Sequence, residues 1–130
     1  MTAVLVGLAT WSVNAAAQAA GMAALADPTH LRTTLMAVAR QKEALIAGIT
    51  ALGLRVVPSD THFFLVEVGD APAWKQALLE HRILVRDCTS FGLPGYIRIA
   101  TRRPEECAHL LAALAQVKER RVVHGCTSVA

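Results

Sequence analysis

Apolar residues recur at helical spacing in the first half of the chain. An Ala-rich stretch from about Trp11 to Ala26, with Thr10 or Ser12 as its cap, predicts a first helix that is buried against another part of the backbone. A second helix, with Asp27 as its cap, is expected from Pro28 to Leu52, because its apolar residues fall on one face. Gly53 follows where a left-handed residue commonly ends a helix, so the chain should turn there.

The period then changes to that of β strands. Four short apolar runs alternate with turn residues, at Leu54–Val57, Thr61–Val68, Ile83–Asp87 and Tyr96–Ala100. A helical stretch lies between the second and third runs, and another follows the fourth. This order predicts an α+β fold in which a small, mostly antiparallel sheet has helices packed on one face.

The two later helices have clear start signals. Asp70 is expected to cap the third helix, which should run to His81, and Pro104 is expected to begin the fourth. The last helix should end near residue 118. We therefore expect one domain over residues 1–118 and a frayed tail over residues 119–130.

Composition and charge exclude several classes of protein. The apolar share of 54% and the charged share of 18% argue against disorder, and a dispersed net charge of +3 is too mild to indicate nucleic-acid binding. The three cysteines form no C-x-x-C pair and the five histidines lack ligand spacing, so no metal site is expected. The odd cysteine count fits a reducing, cytoplasmic location. Polar residues interrupt the uncharged first 26 residues, so neither a signal peptide nor a membrane-spanning helix is expected.

Two arginines lie in the predicted third and fourth strands. Strand alternation places Arg86 and Arg98, together with Tyr96, on the sheet face opposite the β-branched residues. An arginine within a strand is unfavourable unless an anion meets it, and its guanidinium suits a carboxylate or a phosphate. The two arginines are therefore candidates for binding an anionic ligand. Alternatively, each arginine pairs with a nearby acid such as Asp87 or Glu67.

Four sequence runs, two of which contain these arginines, resemble those of a known protein family. They are T-W-S-V-N-A-A-A-Q-A-A-G at Thr10–Gly21, V-V-P-S-D-T-H-F-F-L-V at Val56–Val66, I-L-V-R-D-C-T-S-F-G-L-P at Ile83–Pro94 and G-Y-I-R-I-A-T-R at Gly95–Arg102. In these runs the chain resembles the C-terminal small domain of fold-type I pyridoxal-phosphate enzymes, in the class I and II aminotransferase superfamily. It is similar in particular to histidinol-phosphate aminotransferases and to threonine-phosphate decarboxylases.

The resemblance implies a role for each arginine. Arg98, in the Y-I-R-I-A motif, would bind the substrate carboxylate or an equivalent anion. Arg86, in the V-R-D motif, would help to hold the phosphate of a phosphorylated substrate. The resemblance also implies a transamination or decarboxylation with pyridoxal phosphate as the electron sink, while the protein orients the substrate. No residue of this chain is expected to be catalytic.

The cofactor is not expected to be bound by this chain alone. In the family the Schiff-base lysine lies in a large domain that precedes the small one, and Lys42, Lys75 and Lys118 match no such motif. We therefore expect an isolated small domain that closes over substrate and is inactive alone. The expected partners are a small anionic amino-acid or phosphate ligand, a separate large-domain chain and further copies of this chain. Neither nucleic acid nor a membrane is expected as a partner.

The sequence is also compatible with a function that is not enzymatic. The same α+β layout could serve as a non-catalytic module that binds an anion through the two arginines, or that oligomerises through an exposed sheet edge. The first helix and residues 2–9 are the candidate surfaces for such self-association, because they are apolar and uncharged.

Overall fold

The computed structural model describes the backbone of residues 13–125 and the side chains as far as Arg121. By its contacts the chain divides into two compact units, Met1–Met36 and Ala37–Ala130. The described helices are α1 (Ala15–Leu25), α2 (Pro28–Ala51), α3 (Ala71–Glu80) and α4 (Pro104–Gly125), and the strands are β1 (Arg55–Val57), β2 (Phe63–Glu67), β3 (Arg86–Asp87) and β4 (Tyr96–Ala100). None of these helices is long and apolar enough to cross a membrane.

Helix α1 is shorter than predicted and is exposed. Its cap is Asn14, whose side chain accepts a hydrogen bond from the Ala17 N–H at 2.9 Å, whereas Thr10 and Ser12 lie outside the described residues. None of the residues of α1 is buried, and Met22 is 73% exposed. The prediction of a buried helix is therefore wrong for this segment. Alanine side chains remove little apolar area from water, so an Ala-rich sequence does not by itself hold a helix in a core.

Helix α2 begins at the predicted residue and ends one residue before the predicted end, so its predicted extent is confirmed. The Asp27 side chain accepts a hydrogen bond from the His30 N–H at 2.9 Å at the start of the helix. Gly53, with φ of 73°, follows its end in the left-handed conformation that was expected there. Only Leu45 and Ile49 are buried, so the apolar face of α2 contributes to the core through its second half.

The four strands form one antiparallel sheet in the order β1-β2-β4-β3, which confirms the predicted α+β class. Strand β3 is shorter than the predicted Ile83–Asp87, because only its last two residues pair with β4. The preceding residues follow the end of α3 instead. Arg82 adopts a φ of 60°, and the Ile83 N–H donates to the Leu78 carbonyl oxygen at 3.0 Å. Strand β3 therefore leaves part of the outer edge of β4 uncovered.

One face of this sheet is buried against helices α2, α3 and α4. Along β2 and β4 the buried and less buried side chains alternate, as expected for a sheet that is covered on one side. The core side chains are Leu45, Ile49, Leu54, Phe64, Val66, Ala71, Trp74, Leu78, Val85, Ile97, Ile99, Cys107, Leu110, Ala113, Leu114 and Val117. The prediction of helices on one face is thus confirmed, and the opposite face carries the candidate site.

Helix α4 continues through Gly125, past the point where the chain was expected to fray. The turn at residues 120 and 121 contacts α3 and its cap residue Asp70. Arg120 lies 3.4 Å from Glu80, and Arg121 lies 3.5 Å from Asp70. The Arg121 guanidinium also lies over the ring of Trp74. Residues 126–130 lie outside the described part of the chain.

Candidate functional site

Arg86 and Arg98 lie directly opposite each other on the neighbouring strands β3 and β4. Directly opposed residues of an antiparallel pair point to the same face and have Cβ atoms about 4.5–5.5 Å apart. Both arginines are exposed, whereas Ile97 and Ile99 beside Arg98 are buried on the other face. The structure therefore brings the two predicted arginines together on the face that the helices leave open.

An aromatic ring supports each guanidinium. The Cζ atom of Arg98 lies 5.0 Å from the centroid of the Phe63 ring, and that of Arg86 lies 5.2 Å from the centroid of the Phe91 ring. In addition, Nη2 of Arg86 donates to the Ser90 hydroxyl oxygen at 3.0 Å. Stacking on a ring orients a guanidinium and leaves its N–H groups available for an anion.

Nearby carboxylates form no ion pair with these two arginines, although the charge of Arg86 contributes to lowering the pKa of Asp87. Glu67 forms its ion pair with Arg55, which raises the pKa of that arginine. Asp87 accepts hydrogen bonds from the hydroxyl of Thr89 at 2.5 Å and from its N–H at 2.8 Å. Neither Arg86 nor Arg98 forms an ion pair with any carboxylate of the described residues. The alternative in which each arginine pairs with a local acid is therefore wrong.

The hydrogen bonds from Thr89 also fix the charge of Asp87. The hydroxyl of Thr89, and then its N–H, hold the pKa of Asp87 below its usual value. Asp87 therefore stays ionised at neutral pH while its Oδ1 atom is engaged by Thr89. Tyr96 lies on the same face as the arginines, as predicted, but its hydroxyl is engaged by Nη2 of Arg55 at 2.9 Å.

Besides a cavity of about 420 Å³ that Arg98 shares with residues of α4, three cavities border the paired arginines. The first, of about 410 Å³, is largely apolar and has Phe63, Phe91 and Arg98 among its walls. The second, of about 440 Å³, places Arg86 and Arg98 together with Lys75 of α3. The third, of about 430 Å³, is lined only by polar and charged residues, which are Lys75, Arg86, Asp87, Thr89 and Ser90. An anion beside the arginines would thus have an apolar wall on one side and polar groups on the other.

Sequence reasoning missed Lys75, which the helical pattern placed on a solvated face. The packing of α3 along the edge of the sheet brings Lys75 next to β3, and it is half-buried there. The other two lysines have structural roles. The Nζ atom of Lys42 donates to the carbonyl oxygen of Ser59, and that of Lys118 donates to the carbonyl oxygen of Leu52.

Cys88 lies beneath the arginines but is not an exposed nucleophile. Its side chain is buried, and burial raises the pKa of the thiol. Its Sγ atom contacts the carbonyl oxygen of Arg86 at 3.8 Å. The residue therefore serves as part of the floor of the apolar cavity. Among the described side chains there is also no group of three His, Cys, Asp or Glu residues that could hold a metal ion.

The model of the family described as "Aminotransferase class I and II" matches residues 4–114 of the chain. The chain belongs to this family. The sequence resemblance to class I and II aminotransferases, which depend on pyridoxal phosphate, is thereby confirmed.

Three members and neighbours of the aminotransferase family illustrate the match. A histidinol-phosphate aminotransferase from Symbiobacterium thermophilum is 41% identical over 105 residues, which are 80% of this chain and 29% of that protein. A putative aminotransferase from Burkholderia pseudomallei superposes with a TM-score of 0.73 at 32% identity, over 82% of this chain and 34% of its own. L-threonine-O-3-phosphate decarboxylase from Porphyromonas gingivalis superposes with a TM-score of 0.70 at 34% identity, over 84% of this chain and 35% of its own. The chain thus spans about a third of the length of these aminotransferase relatives.

Proposed function

We propose that this chain is the C-terminal small domain of a pyridoxal-phosphate-dependent aminotransferase or decarboxylase, and that it binds the acidic groups of the substrate. Arg98 binds the carboxylate, or an equivalent anion, and Arg86 binds a phosphate. The observation that carries this proposal is the pairing of the two guanidinium groups on the exposed sheet face. Each is stacked on an aromatic ring and lacks a carboxylate partner among the described residues.

The geometry suits a small ligand with two acidic groups. A guanidinium offers a planar fork of N–H donors that matches the oxygens of a carboxylate or a phosphate. Because Arg86 and Arg98 are direct cross-strand neighbours, one ligand of amino-acid size can meet both at once. Such a ligand would also contact the apolar cavity that is lined by Phe63 and Phe91.

The names of two relatives support a phosphorylated substrate. Those names are histidinol-phosphate aminotransferase and L-threonine-O-3-phosphate decarboxylase, and each contains an amino compound that carries a phosphate. The pair of arginines in this chain, neither of which forms an ion pair with a described carboxylate, fits that class of ligand, because a phosphate dianion needs more positive charge than a single carboxylate does. Transamination and decarboxylation remain alternatives within the proposal.

The Arg98→Ala variant is expected to bind O-phospho-L-serine at least about tenfold more weakly than the wild type. This factor corresponds to the loss of one charge-assisted hydrogen-bonding group, which contributes roughly 1.5–3 kcal/mol. Isothermal titration calorimetry of both proteins measures the difference. Arg40→Ala is the matched control, because Arg40 is an exposed residue of α2 and its replacement removes the same charge. Equal affinities for the wild type and Arg98→Ala would remove Arg98 from the site.

The described residues do not fit covalently bound pyridoxal phosphate. Lys42 and Lys118 donate to backbone carbonyl oxygens. Lys75 borders two open cavities, of which one is lined only by polar and charged residues and the other has Leu84, Val85 and Ala100 as apolar walls but no aromatic side chain to stack on the cofactor ring. We therefore propose that these residues do not carry out the cofactor chemistry by themselves, and that a large-domain chain supplies the cofactor site.

Borohydride reduction in the presence of pyridoxal phosphate tests this part of the proposal. We expect no stoichiometric adduct at any single lysine, because no lysine lies in a pocket that would bind the cofactor ring. Peptide mass spectrometry after reduction locates any modified lysine. One fully modified lysine at equimolar cofactor would contradict the proposal, whereas traces spread over all three lysines are the expected background.

A second candidate function is self-association, as a non-catalytic oligomerisation module. The observation that favours it is the exposure of large apolar side chains around α1, which include Val13, Met22 and Leu25. Exposed apolar surface of this kind marks an interface in many proteins. Sizing chromatography of the same samples tests it. Elution at the mass of one chain would remove this candidate.

A further inference from the structure

Positive charge is concentrated at the outer edge of the sheet, beside β3. Lys75 and Arg86 line the polar cavity of about 430 Å³, and the neighbouring cavity of about 440 Å³ contains the same two residues together with Arg98. Lys75 comes from α3, which packs along this edge, whereas the two arginines come from the strands. Three cations from three elements therefore border one continuous stretch of surface.

Only one carboxylate of the described residues lines this region, so it offsets the charge in part. The Nζ atom of Lys75 forms no hydrogen bond and no ion pair with any of the described residues. Asp87 is the one acidic residue of the polar cavity; its Oδ1 atom accepts both hydrogen bonds from Thr89, and the charges of Lys75 and Arg86 further lower its pKa. The polar cavity thus carries two cations against a single ionised carboxylate, which leaves one positive charge in excess.

The polar cavity also presents a hydroxyl donor. Ser90 Oγ accepts a hydrogen bond from Arg86 Nη2 at 3.0 Å, so the Ser90 O–H remains available to donate to a ligand. An ammonium, a guanidinium and a hydroxyl then meet in one cavity. The ammonium and the guanidinium can only donate hydrogen bonds, and the hydroxyl still has its O–H to donate. An anion with several oxygens provides acceptors for all three groups.

We infer that Lys75, Arg86 and Ser90 form a subsite for a dianionic phosphoryl group, and that Lys75 sets the preference of the site for phosphate over carboxylate. This inference rests on the proposed function, in which Arg86 meets the acidic end of the ligand. A carboxylate carries one charge and two oxygens, which a single guanidinium satisfies in a bidentate pair. A phosphoryl group carries close to two charges and has three terminal oxygens, so a second cation is needed to match it.

The Lys75→Gln variant tests the assignment with two probes. The first probe is O-phospho-L-serine, and the second is L-glutamate, which has a carboxylate in place of the phosphate. We expect Lys75→Gln to weaken binding of phosphoserine about tenfold and binding of glutamate by no more than about twofold. Lys75→Arg should retain most of the preference for phosphoserine, because it keeps the charge. Arg40→Gln serves as the charge-matched control and should change neither affinity.

The outcomes separate this inference from the proposed function. If Arg86→Ala and Arg98→Ala weaken binding of the two probes while Lys75→Gln leaves their ratio unchanged, the inference is overturned and the proposed function stands. An equal loss for both probes in Lys75→Gln would also overturn it, since that result indicates general charge attraction. If neither arginine variant changes binding of either probe, or if the wild type binds neither, the proposed function and the inference are both wrong.

Discussion

Replacing Ile97 by aspartate is expected to unfold the protein. Ile97 has no exposed surface and packs in the core between the sheet and the helices. A carboxylate at this position would have no cationic partner, and an uncompensated buried charge destabilises a fold by roughly 3–5 kcal/mol or more. That is a large part of the 5–15 kcal/mol or so by which a domain is stable. Circular dichroism should show a protein that is largely unfolded at 25 °C.

The neighbouring position provides the control for this prediction. Arg98→Asp introduces the same side chain one residue further along β4, where it points to the exposed face opposite Arg86. We expect its unfolding transition in urea to lie close to that of the wild type, since surface substitutions change stability by about 0.5 kcal/mol. If both variants are unfolded, or if Ile97→Asp stays folded, then Ile97 and Arg98 do not lie on the buried and the exposed face of β4, respectively.

Replacing Phe64 by alanine is expected to lower the free energy of unfolding by about 3–5 kcal/mol. Phe64 is 1% exposed and is the largest fully buried side chain among the described residues. Its removal both withdraws apolar area from the core and leaves a cavity that rigid neighbours fill only in part. Urea denaturation followed by tryptophan fluorescence measures the change, because Trp74 lies in the same core.

Phe91 offers a matched control for Phe64. It is 60% exposed and contacts the guanidinium of Arg86 rather than the core. Phe91→Ala should therefore cost less than about 1 kcal/mol of stability, which is the usual range for an exposed contact of this type. A loss at Phe91 as large as that at Phe64 would show that the 3₁₀ turn Thr89–Phe91, which follows β3, supports the fold and not only the site.

Local patterns predicted the features that depend on near neighbours in sequence. The alternation in β4 placed Arg98 on the open face, because side chains of a strand point to alternate sides whatever the strand pairs with. The caps at Asp70 and Asp27, and the turn at Gly53, likewise follow from side chains and backbone preferences within a few residues.

Features that depend on distant parts of the chain were missed or were wrong. The early end of β3 depends on the bond between Ile83 and the last turn of α3. The place of Lys75 beside Arg86 depends on how α3 packs along the sheet. The burial expected for α1 required a surface to cover it, and an Ala-rich pattern does not specify one. In each case the local period of apolar residues indicates a helix or a strand but not what that element packs against.

The stacking of the two guanidinium groups has a consequence for the entropy of binding. An exposed arginine that must be immobilised by a ligand loses rotational freedom, at roughly 0.5–1.5 kcal/mol for each side chain. Phe63 and Phe91 restrict Arg98 and Arg86 before any ligand arrives, so part of this loss has already occurred on folding. The two guanidinium groups are therefore preorganised, and the distance between them is largely set before a ligand binds. Ligands whose acidic groups match that spacing are favoured over equally charged ligands that do not.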